Sequence, residues 1–224
     1  MFGVPAPFDA KQLDACVAGC AASHQLLLET VDALSETDFH EASSLPGWSR
    51  LTVVAHLALN AASFVHLLDE ASRGVVGEQY PGGMAGRDAQ IADAATWTPG
   101  QAVKNLRAAI YALEGAWAGA SHDAWHGTGR RASGDVVAMY ELPFYRWRET
   151  VVHLTDMNVG VDHERWPALY VRLELERQKM AWAASHPMGL TQLPKAALSL
   201  SPSHRLAWLL QRVDVEGLPK GPGL

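Results

Sequence analysis

The sequence predicts an all-α protein, a four-helix bundle with a short C-terminal extension, and three observations support this fold class. Apolar residues recur at helical spacing over four long segments. Stretches rich in glycine and proline separate these segments. Residues that typically begin and end helices lie at the segment boundaries. We expect the bundle domain to cover residues 1–186 and the C-terminal extension to cover residues 187–224.

The first two helices have well-marked ends. Asp9 is a suitable N-cap for a first helix that we expect to run to about Leu34. Ser49, which follows a Pro-Gly break, is a suitable N-cap for a second helix. That helix should end near Arg73, because Gly74 follows it and glycine commonly stops helices.

Loops precede the third and fourth helices. Residues 74–90 are rich in glycine and predict a long loop without the spacing of a phosphate-binding loop. Thr98 and Gln101 form a capping box that opens a third helix to about Ala120. Residues 122–135 predict a second loop with a short hairpin.

The C-terminal third of the chain is also expected to be helical. A fourth helix should end near Asn158, and Pro143 lies inside it, where proline normally kinks a helix. A fifth helix should start near Pro167. Ser201 should cap a short last helix before a Pro- and Gly-rich end.

Composition and charge exclude several classes of function. The net charge is −6 and no basic stripe is visible, which argues against a nucleic-acid partner. The first ten residues lack the basic and apolar regions of a secretory signal. No run is expected to approach the roughly 18 apolar residues that span a bilayer. We therefore predict a cytoplasmic protein without a membrane partner.

The two cysteines, Cys16 and Cys20, lie one helical turn apart. Two such thiols can serve as soft metal ligands or as a redox pair. The favoured interpretation is that they are small apolar residues facing the core.

The second helix carries a narrow polar stripe. It is apolar almost all round, which predicts burial, yet Thr52, His56, Asn60 and Ser63 are spaced four, four and three residues apart. That spacing places their side chains on one side of the helix.

The fourth helix has a matching stripe of Glu149, His153 and Asp156. A buried carboxylate is costly unless a charge or a metal meets it, so the two stripes should face each other. One hypothesis is a divalent metal bound by His56, Glu149 and His153, with Asp156, Asn60 or Thr52 orienting a ligand imidazole. The other is a hydrogen-bonded network without metal.

Two segments resemble a known family. "LPGWSRLTVVAHLALNA" (residues 45–61) and "YRWRETVVHLTDMNVG" (residues 145–160) are similar to two motifs of the mycothiol-dependent maleylpyruvate isomerase family. This family belongs to the DinB-like superfamily of metal-binding four-helix bundles. The resemblance covers about residues 10–185, and it implies a DinB-like bundle here.

The resemblance also implies a site and a reaction. A divalent metal, usually zinc, would be bound by His56, Glu149 and His153. A low-molecular-weight thiol, mycothiol or glutathione, would add to a cis double bond of a small-molecule substrate, and bond rotation and thiol loss would give the trans isomer. In the family maleylpyruvate becomes fumarylpyruvate. We expect a monomer or a homodimer.

A dicarboxylate substrate requires cations. The resemblance places Arg212 at the position of a family arginine that follows a glycine, although Gln211 replaces the glycine and the C-terminal region is shorter than in the family. The candidate catalytic residues beside the metal are this arginine, Arg212, and two residues of the polar stripes, Asn60 and Asp156. Arg146 and Arg148 are alternative carboxylate-binding residues and our candidates for cofactor binding.

Two other functions stay open from the sequence. One is metal-dependent transfer of a thiol to an electrophile, and the other is a non-catalytic protein that keeps a metal pocket. The remaining histidines are not expected to form a site. His122 and His126 are expected to be exposed in a loop, and no partner cluster is evident for the others: His24, His40, His66, His163, His186 and His204.

Overall fold

The protein has the predicted all-α fold, with one small sheet. The computed structural model describes residues 8–186 and 192–223. The expectation of no secretory signal rests largely on residues 1–7, and the C-terminal extension begins with residues 187–191; both segments lie outside the described residues. The elements are α1 Ala10–Asp32, α2 Glu36–His40, α3 Arg50–Ser72, β1 Gly77–Glu78, α4 Gly83–Ala94, α5 Pro99–Gly119, α6 His122–His126, β2 Thr128–Arg130, β3 Val136–Ala138, α7 Leu142–Asp156, α8 Ala168–Ser185, α9 Lys195–Leu198 and α10 Pro202–Leu209.

The predicted helix N-caps are confirmed. The side chains of Asp9, Ser49, Thr98 and Ser201 each accept a hydrogen bond from a backbone N–H in the first turn of α1, α3, α5 and α10. Such bonds satisfy amides that have no partner within the helix. Because these caps fix where each helix begins, they also fix which residues share a face.

Helix α3 forms the centre of the bundle. It packs on α5 and α7, while α1 packs on α7 and α5, which makes a ring of four helices. The expectation that no segment could span a bilayer needs correction, because α3 is long and apolar enough by length and composition. However, 72% of its apolar window is buried inside the fold, as is usual for a core helix.

Two sequence-based expectations about helices are wrong. Pro143 does not kink α7, because it lies in the first turn, where the missing N–H would have no helical partner. The long loop expected over residues 74–90 contains the beginning of α4, which follows Gly82 in the left-handed conformation. Ile91 and Ala94 of α4 are buried, so packing overrides the glycine content of this segment.

The expected hairpin is confirmed and belongs to a larger sheet. Strands β2 and β3 pair antiparallel, and β1 pairs parallel with β2. The third strand had no signal in the sequence because β1 is only two residues long.

The chain divides by packing into two compact units, residues 1–157 and residues 158–224. The bundle helices α1, α3, α5 and α7 lie in the first unit. In the second unit, α8 packs on α10, and a 3-10 turn at His163–Arg165 also contacts α10. The domain boundary predicted after residue 186 stays a prediction, but the division by packing falls earlier.

Helix α1 approaches α7 closely at Gly19. The indole of Trp147 lies against this glycine, and its Nε1–H donates to Ser23 Oγ at 2.9 Å. A methyl group added at Gly19 would overlap the Trp147 ring, whereas one added at Gly115 of α5 would meet open space.

We predict that Gly19→Ala lowers the free energy of unfolding by about 1–3 kcal/mol, because the added methyl forces the buried indole out of place. Chemical denaturation measures the change. Gly115→Ala is the matched control and should raise the free energy of unfolding by up to about 1 kcal/mol, because alanine favours the helix. Equal effects of the two substitutions would contradict the packing described here.

Candidate metal centre

Three side chains from α3 and α7 converge inside the bundle. His56 Nε2 lies 3.0 Å from Glu149 Oε2, and His153 Nε2 lies 3.4 Å from the same oxygen. The two imidazole rings stand at 88° with their centroids 4.8 Å apart. One donor atom from each residue lies within 4.8 Å of the other two. The predicted convergence of the two polar stripes is therefore present in the structure.

The backbone holds α7 in register with the beginning of α3. Ser44, in the loop before α3, donates its N–H to the carbonyl of Asp156 at 2.8 Å. Arg50, the first residue of α3, donates from Nε to the carbonyl of Met157 at 2.9 Å. These bonds tie the C-terminal end of α7 to the N-terminal end of α3, one to two turns from the His56 and His153 side chains.

The charges in the cluster are strongly coupled. Burial alone would raise the pKa of Glu149, but hydrogen bonds from His153 and His56 outweigh it and hold this pKa well below its usual value. Burial alone would lower the pKa of His153, but the carboxylates of Asp156 and Glu149 raise it to about 9. Burial lowers the pKa of His56 to about 4, so this ring is neutral at neutral pH. Without a metal, the cluster holds one carboxylate and one imidazolium.

Asp156 fixes the orientation of His153. Its Oδ2 lies 2.9 Å from His153 Nδ1, and the carboxylate is buried. With Nδ1–H donated to Asp156, the Nε2 atom of the same ring faces Glu149. A carboxylate behind a histidine is the usual support of a metal-binding imidazole. On the other side, the Trp48 ring meets the His56 ring edge-on at 5.5 Å.

The residues present fit a divalent cation. Two imidazole nitrogens and one carboxylate oxygen are the donor set of many catalytic zinc sites, and three protein ligands leave a position open. His153 would have to release its proton before it could coordinate, so metal binding at this site should be coupled to pH.

Arg146 forms a second polar group beside the cluster, one turn before Glu149 on α7. Its side chain is fully buried. Nη1 donates to Asn60 Oδ1 at 2.8 Å and to the Leu57 carbonyl at 2.9 Å, and Nε donates to His24 Nε2 at 3.0 Å. Asn60 therefore contacts Arg146 through its side-chain oxygen.

His24 was expected to have no partner cluster, and this expectation is wrong. Its Nδ1 lies 2.8 Å from Glu114 Oε1, while its Nε2 accepts from Arg146. Each of the four bundle helices contributes one residue to this network: His24 from α1, Asn60 from α3, Glu114 from α5 and Arg146 from α7. No sequence signal indicated it, because its members are far apart in the chain and share no spacing.

The other predicted arginines lie elsewhere. The Arg148 guanidinium lies 5.6 Å and 5.4 Å from the ring centroids of Phe144 and Tyr145. Arg212 belongs to the second unit and donates from Nη1 to the Leu210 carbonyl. Gln211, which stands where the family resemblance led us to expect glycine, adopts a left-handed φ of 57°, a conformation that favours glycine. The functional roles of Arg148 and Arg212 stay predictions.

The cysteines are in the core. Cys16 and Cys20 are buried thiols, and neither belongs to a metal-ligand cluster among the described residues. Burial raises the pKa of Cys20 far above its usual value, which keeps it a thiol. His122 and His126 lie on the short helix α6 rather than in a loop, and their rings stack at 4.1 Å.

A four-helix bundle with a His–Glu–His cluster on two facing helices is a scaffold typical of metal-binding proteins. The sequence profile of the mycothiol maleylpyruvate isomerase N-terminal domain matches residues 20–158, more than half of the chain. The chain therefore belongs to this family, as the resemblance of the two motifs implied. A search of curated proteins finds no match.

Solved structures share the fold. The mycothiol-dependent maleylpyruvate isomerase is 24% identical, with a TM-score of 0.73 over 77% of this chain and 71% of that one. A histidine-to-alanine mutant of that enzyme gives 23% identity with the same TM-score and coverage. YfiT from Bacillus subtilis, described as a probable metal-dependent hydrolase with an unusual four-helix bundle topology, is 13% identical, with a TM-score of 0.56 over 70% and 91% of the two chains. These similarities confirm the bundle fold.

We predict that His56→Ala removes one zinc ion per chain from the zinc-loaded protein, because it deletes a ligand from the core of the site. Asp156→Asn should keep that ion but weaken its binding about 10- to 100-fold, because His153 loses its carboxylate partner. Metal analysis and competition with a chelator measure both effects. His66→Ala is the matched control, since His66 is exposed on the same helix; equal zinc loss in this variant and in His56→Ala would contradict the assignment.

We also predict a pH dependence of stability from His24. Burial lowers the pKa of His24 to about 4, below its usual 6.5, so the unfolded chain binds the extra proton between these values. The contribution of His24 to the free energy of unfolding is therefore constant above about pH 6.5. It decreases as the pH falls from 6.5 toward 4, by about 3 kcal/mol at most.

Denaturation of the metal-free protein between about pH 7.5 and 5 tests this dependence. The reference is His24→Gln, whose amide can donate to Glu114 and accept from Arg146 without titrating. The wild type should lose stability faster than the variant on acidification. Parallel pH curves would show that His24 does not carry this linkage.

Proposed function

We propose that this protein is a metal-dependent, thiol-using isomerase of the maleylpyruvate isomerase type. It would convert a small cis-unsaturated dicarboxylic acid into the trans isomer by addition and elimination of a thiol. The observation that carries the proposal is the His56–Glu149–His153 cluster between α3 and α7, in a chain that belongs to the family. The solved relative at 24% identity is named as mycothiol-dependent, which supports a thiol as the co-reactant.

His56, Glu149 and His153 would hold the metal, and zinc suits their nitrogen and oxygen donors. When bound, a divalent cation would lower the pKa of a thiol from about 8.5, so that mycothiol or glutathione reacts as thiolate at neutral pH. Asp156 would keep the His153 ring in its binding orientation. The apolar residues around His56 would exclude water from this side of the site.

The chemistry conserves atoms and protons overall. The thiolate sulfur would form a bond to one carbon of the cis double bond, and the π electrons would move onto the neighbouring carbon and its conjugated carbonyl. Rotation about the resulting single bond and cleavage of the carbon–sulfur bond would regenerate the thiolate and give the trans alkene. The carbonyl and carboxylate oxygens of the substrate carry the negative charge, and they require cationic partners.

Arg146 is favoured over Arg148 as a carboxylate-binding residue. Its Nη2 atom is buried and has no hydrogen-bond partner among the described residues, and it lies on α7 one turn before Glu149. A buried guanidinium donor without a partner is costly, and a carboxylate would satisfy it. Asn60, which binds Nη1 of Arg146, would position this guanidinium. The role of Arg212 as a further carboxylate-binding residue is part of the proposal, as are a cytoplasmic location and a monomeric or homodimeric state.

The zinc-loaded protein should form fumarylpyruvate from maleylpyruvate in the presence of mycothiol or glutathione, and not without thiol. Absorbance or chromatography follows the product. His56→Ala should lower the rate by at least about 100-fold, because it removes a metal ligand. His66→Ala, the exposed histidine on the same helix, should keep the rate of the wild type.

Other results of the same assay would overturn the isomerase proposal. A stable thioether in place of the trans isomer would indicate metal-dependent thiol transfer. Absence of turnover with every thiol, together with zinc coordination that thiols leave unchanged, would indicate a non-catalytic metal-pocket protein.

A further inference from the structure

The second unit contains its own group of metal-ligand side chains. His163 and Glu164 lie in the 3-10 turn at His163–Arg165, and His204 lies in the first turn of α10. One donor atom from each residue lies within 4.8 Å of the other two. The expectation from the sequence that His163 and His204 belong to no cluster is therefore wrong.

The arrangement repeats the geometry of the bundle site. The His163 and His204 rings stand at 88° with their centroids 5.0 Å apart, compared with 88° and 4.8 Å for His56 and His153. In both places a glutamate oxygen lies beside an imidazole nitrogen; here Glu164 Oε1 is 3.3 Å from His163 Nε2. Two imidazoles and one carboxylate thus meet a second time in the chain.

The turn that carries His163 and Glu164 is held in place by other residues. The Asp162 side chain accepts the backbone N–H of Glu164 at 3.0 Å. Ser203, beside His204, donates its hydroxyl to Glu164 Oε2 at 3.2 Å and so joins the turn to α10. The buried ring of Trp166 meets the His163 ring edge-on at 6.1 Å. The ligand groups are therefore positioned by contacts that do not need a metal.

One imidazole nitrogen in this group lies near a carboxylate oxygen but forms no hydrogen bond within the described part of the chain. His163 Nε2 is buried and forms no hydrogen bond among the described residues. A buried polar atom without a hydrogen bond is costly, and the cost falls when a cation accepts its lone pair. The Glu164 side chain is 57% exposed, so water can complete the coordination shell.

We propose that His163, Glu164 and His204 form a second divalent-metal site, which takes zinc or a similar transition-metal ion. Imidazole donors select such ions over magnesium and calcium, which prefer oxygen ligands. A metal bound here links the 3-10 turn at His163–Arg165 to α10 and so stabilises the second unit. This site is independent of the proposed isomerase reaction.

Zinc titration of the full chain after chelator treatment tests the proposal, with calorimetry as the readout and zinc alone as the probe. The wild type should bind two zinc ions per chain. A His163→Ala/His204→Ala variant should lose one ion while His56→Ala loses the other. Two bound ions in the His163→Ala/His204→Ala variant would overturn the second site, whereas an unchanged His56→Ala variant would overturn only the bundle site.

Two further variants make the result specific. His122→Ala/His126→Ala removes a different pair of neighbouring histidines and should still bind two ions. Loss of an ion in this variant instead would show that zinc occupies exposed histidines at random. Glu164→Gln changes only an exposed carboxylate and should preserve folding, yet it should weaken the second binding event at least about tenfold. An unchanged second event in Glu164→Gln would exclude Glu164 as a ligand and overturn the three-residue site.

Discussion

The negative charge of Glu149, placed between two imidazoles where α3 meets α7, is the constraint on which the bundle interior depends. A carboxylate with only about a fifth of its surface exposed loses most of its hydration, and opposite charge and hydrogen bonds must compensate. The His153 imidazolium supplies the opposite charge from α7, and the neutral His56 ring supplies a hydrogen bond from α3. The residues of α3 next to His56 are apolar, and His56 is the side chain of this helix that meets the charge. Formation of the site therefore requires the register of α3 and α7 that places His56 beside Glu149.

The Arg146 network compensates part of a second buried charge, one turn from Glu149 along α7. Its guanidinium reaches a histidine on α1 and an asparagine on α3, and the histidine in turn meets Glu114 on α5. One member of each bundle helix thus takes part. A network of this kind specifies a single arrangement of the four helices, since any other rotation would leave a buried cation without its acceptors. Arg146 lies one turn before Glu149 on α7, so the network that fixes the four helices lies directly beside the candidate metal site.

The sequence predicted those features that depend on local or periodic signals. Asp9, Ser49, Thr98 and Ser201 cap helices through short-range bonds that any chain with these residues can form. The polar stripes of α3 and α7 stand out because their neighbours are apolar. By contrast, the helical conformation of residues 83–94 depends on tertiary burial of Ile91 and Ala94. The first-turn position of Pro143 depends on the 3-10 turn Met139–Glu141 that directly precedes α7. Such facts are absent from local patterns.

The groups that the sequence missed share one cause. His24 and Arg146 are 122 residues apart and His163 and His204 are 41 apart, and neither pair lies on a common helix. Only the path of the chain brings them together. The bundle site was found because two of its ligands, Glu149 and His153, lie one turn apart and because two motifs resemble a known family. Without that family resemblance, the same spacing would have been compatible with an ordinary hydrogen-bonded pair.

The most direct measurement is zinc K-edge X-ray absorption on the His163→Ala/His204→Ala variant loaded with one equivalent of zinc. We expect two imidazole ligands among nitrogen and oxygen neighbours at about 2.0–2.1 Å, and one new sulfur neighbour at about 2.3 Å once a thiol is added. Fewer than two imidazoles, or a sulfur neighbour before any thiol is present, would contradict the claim that α3 and α7 hold the metal between them.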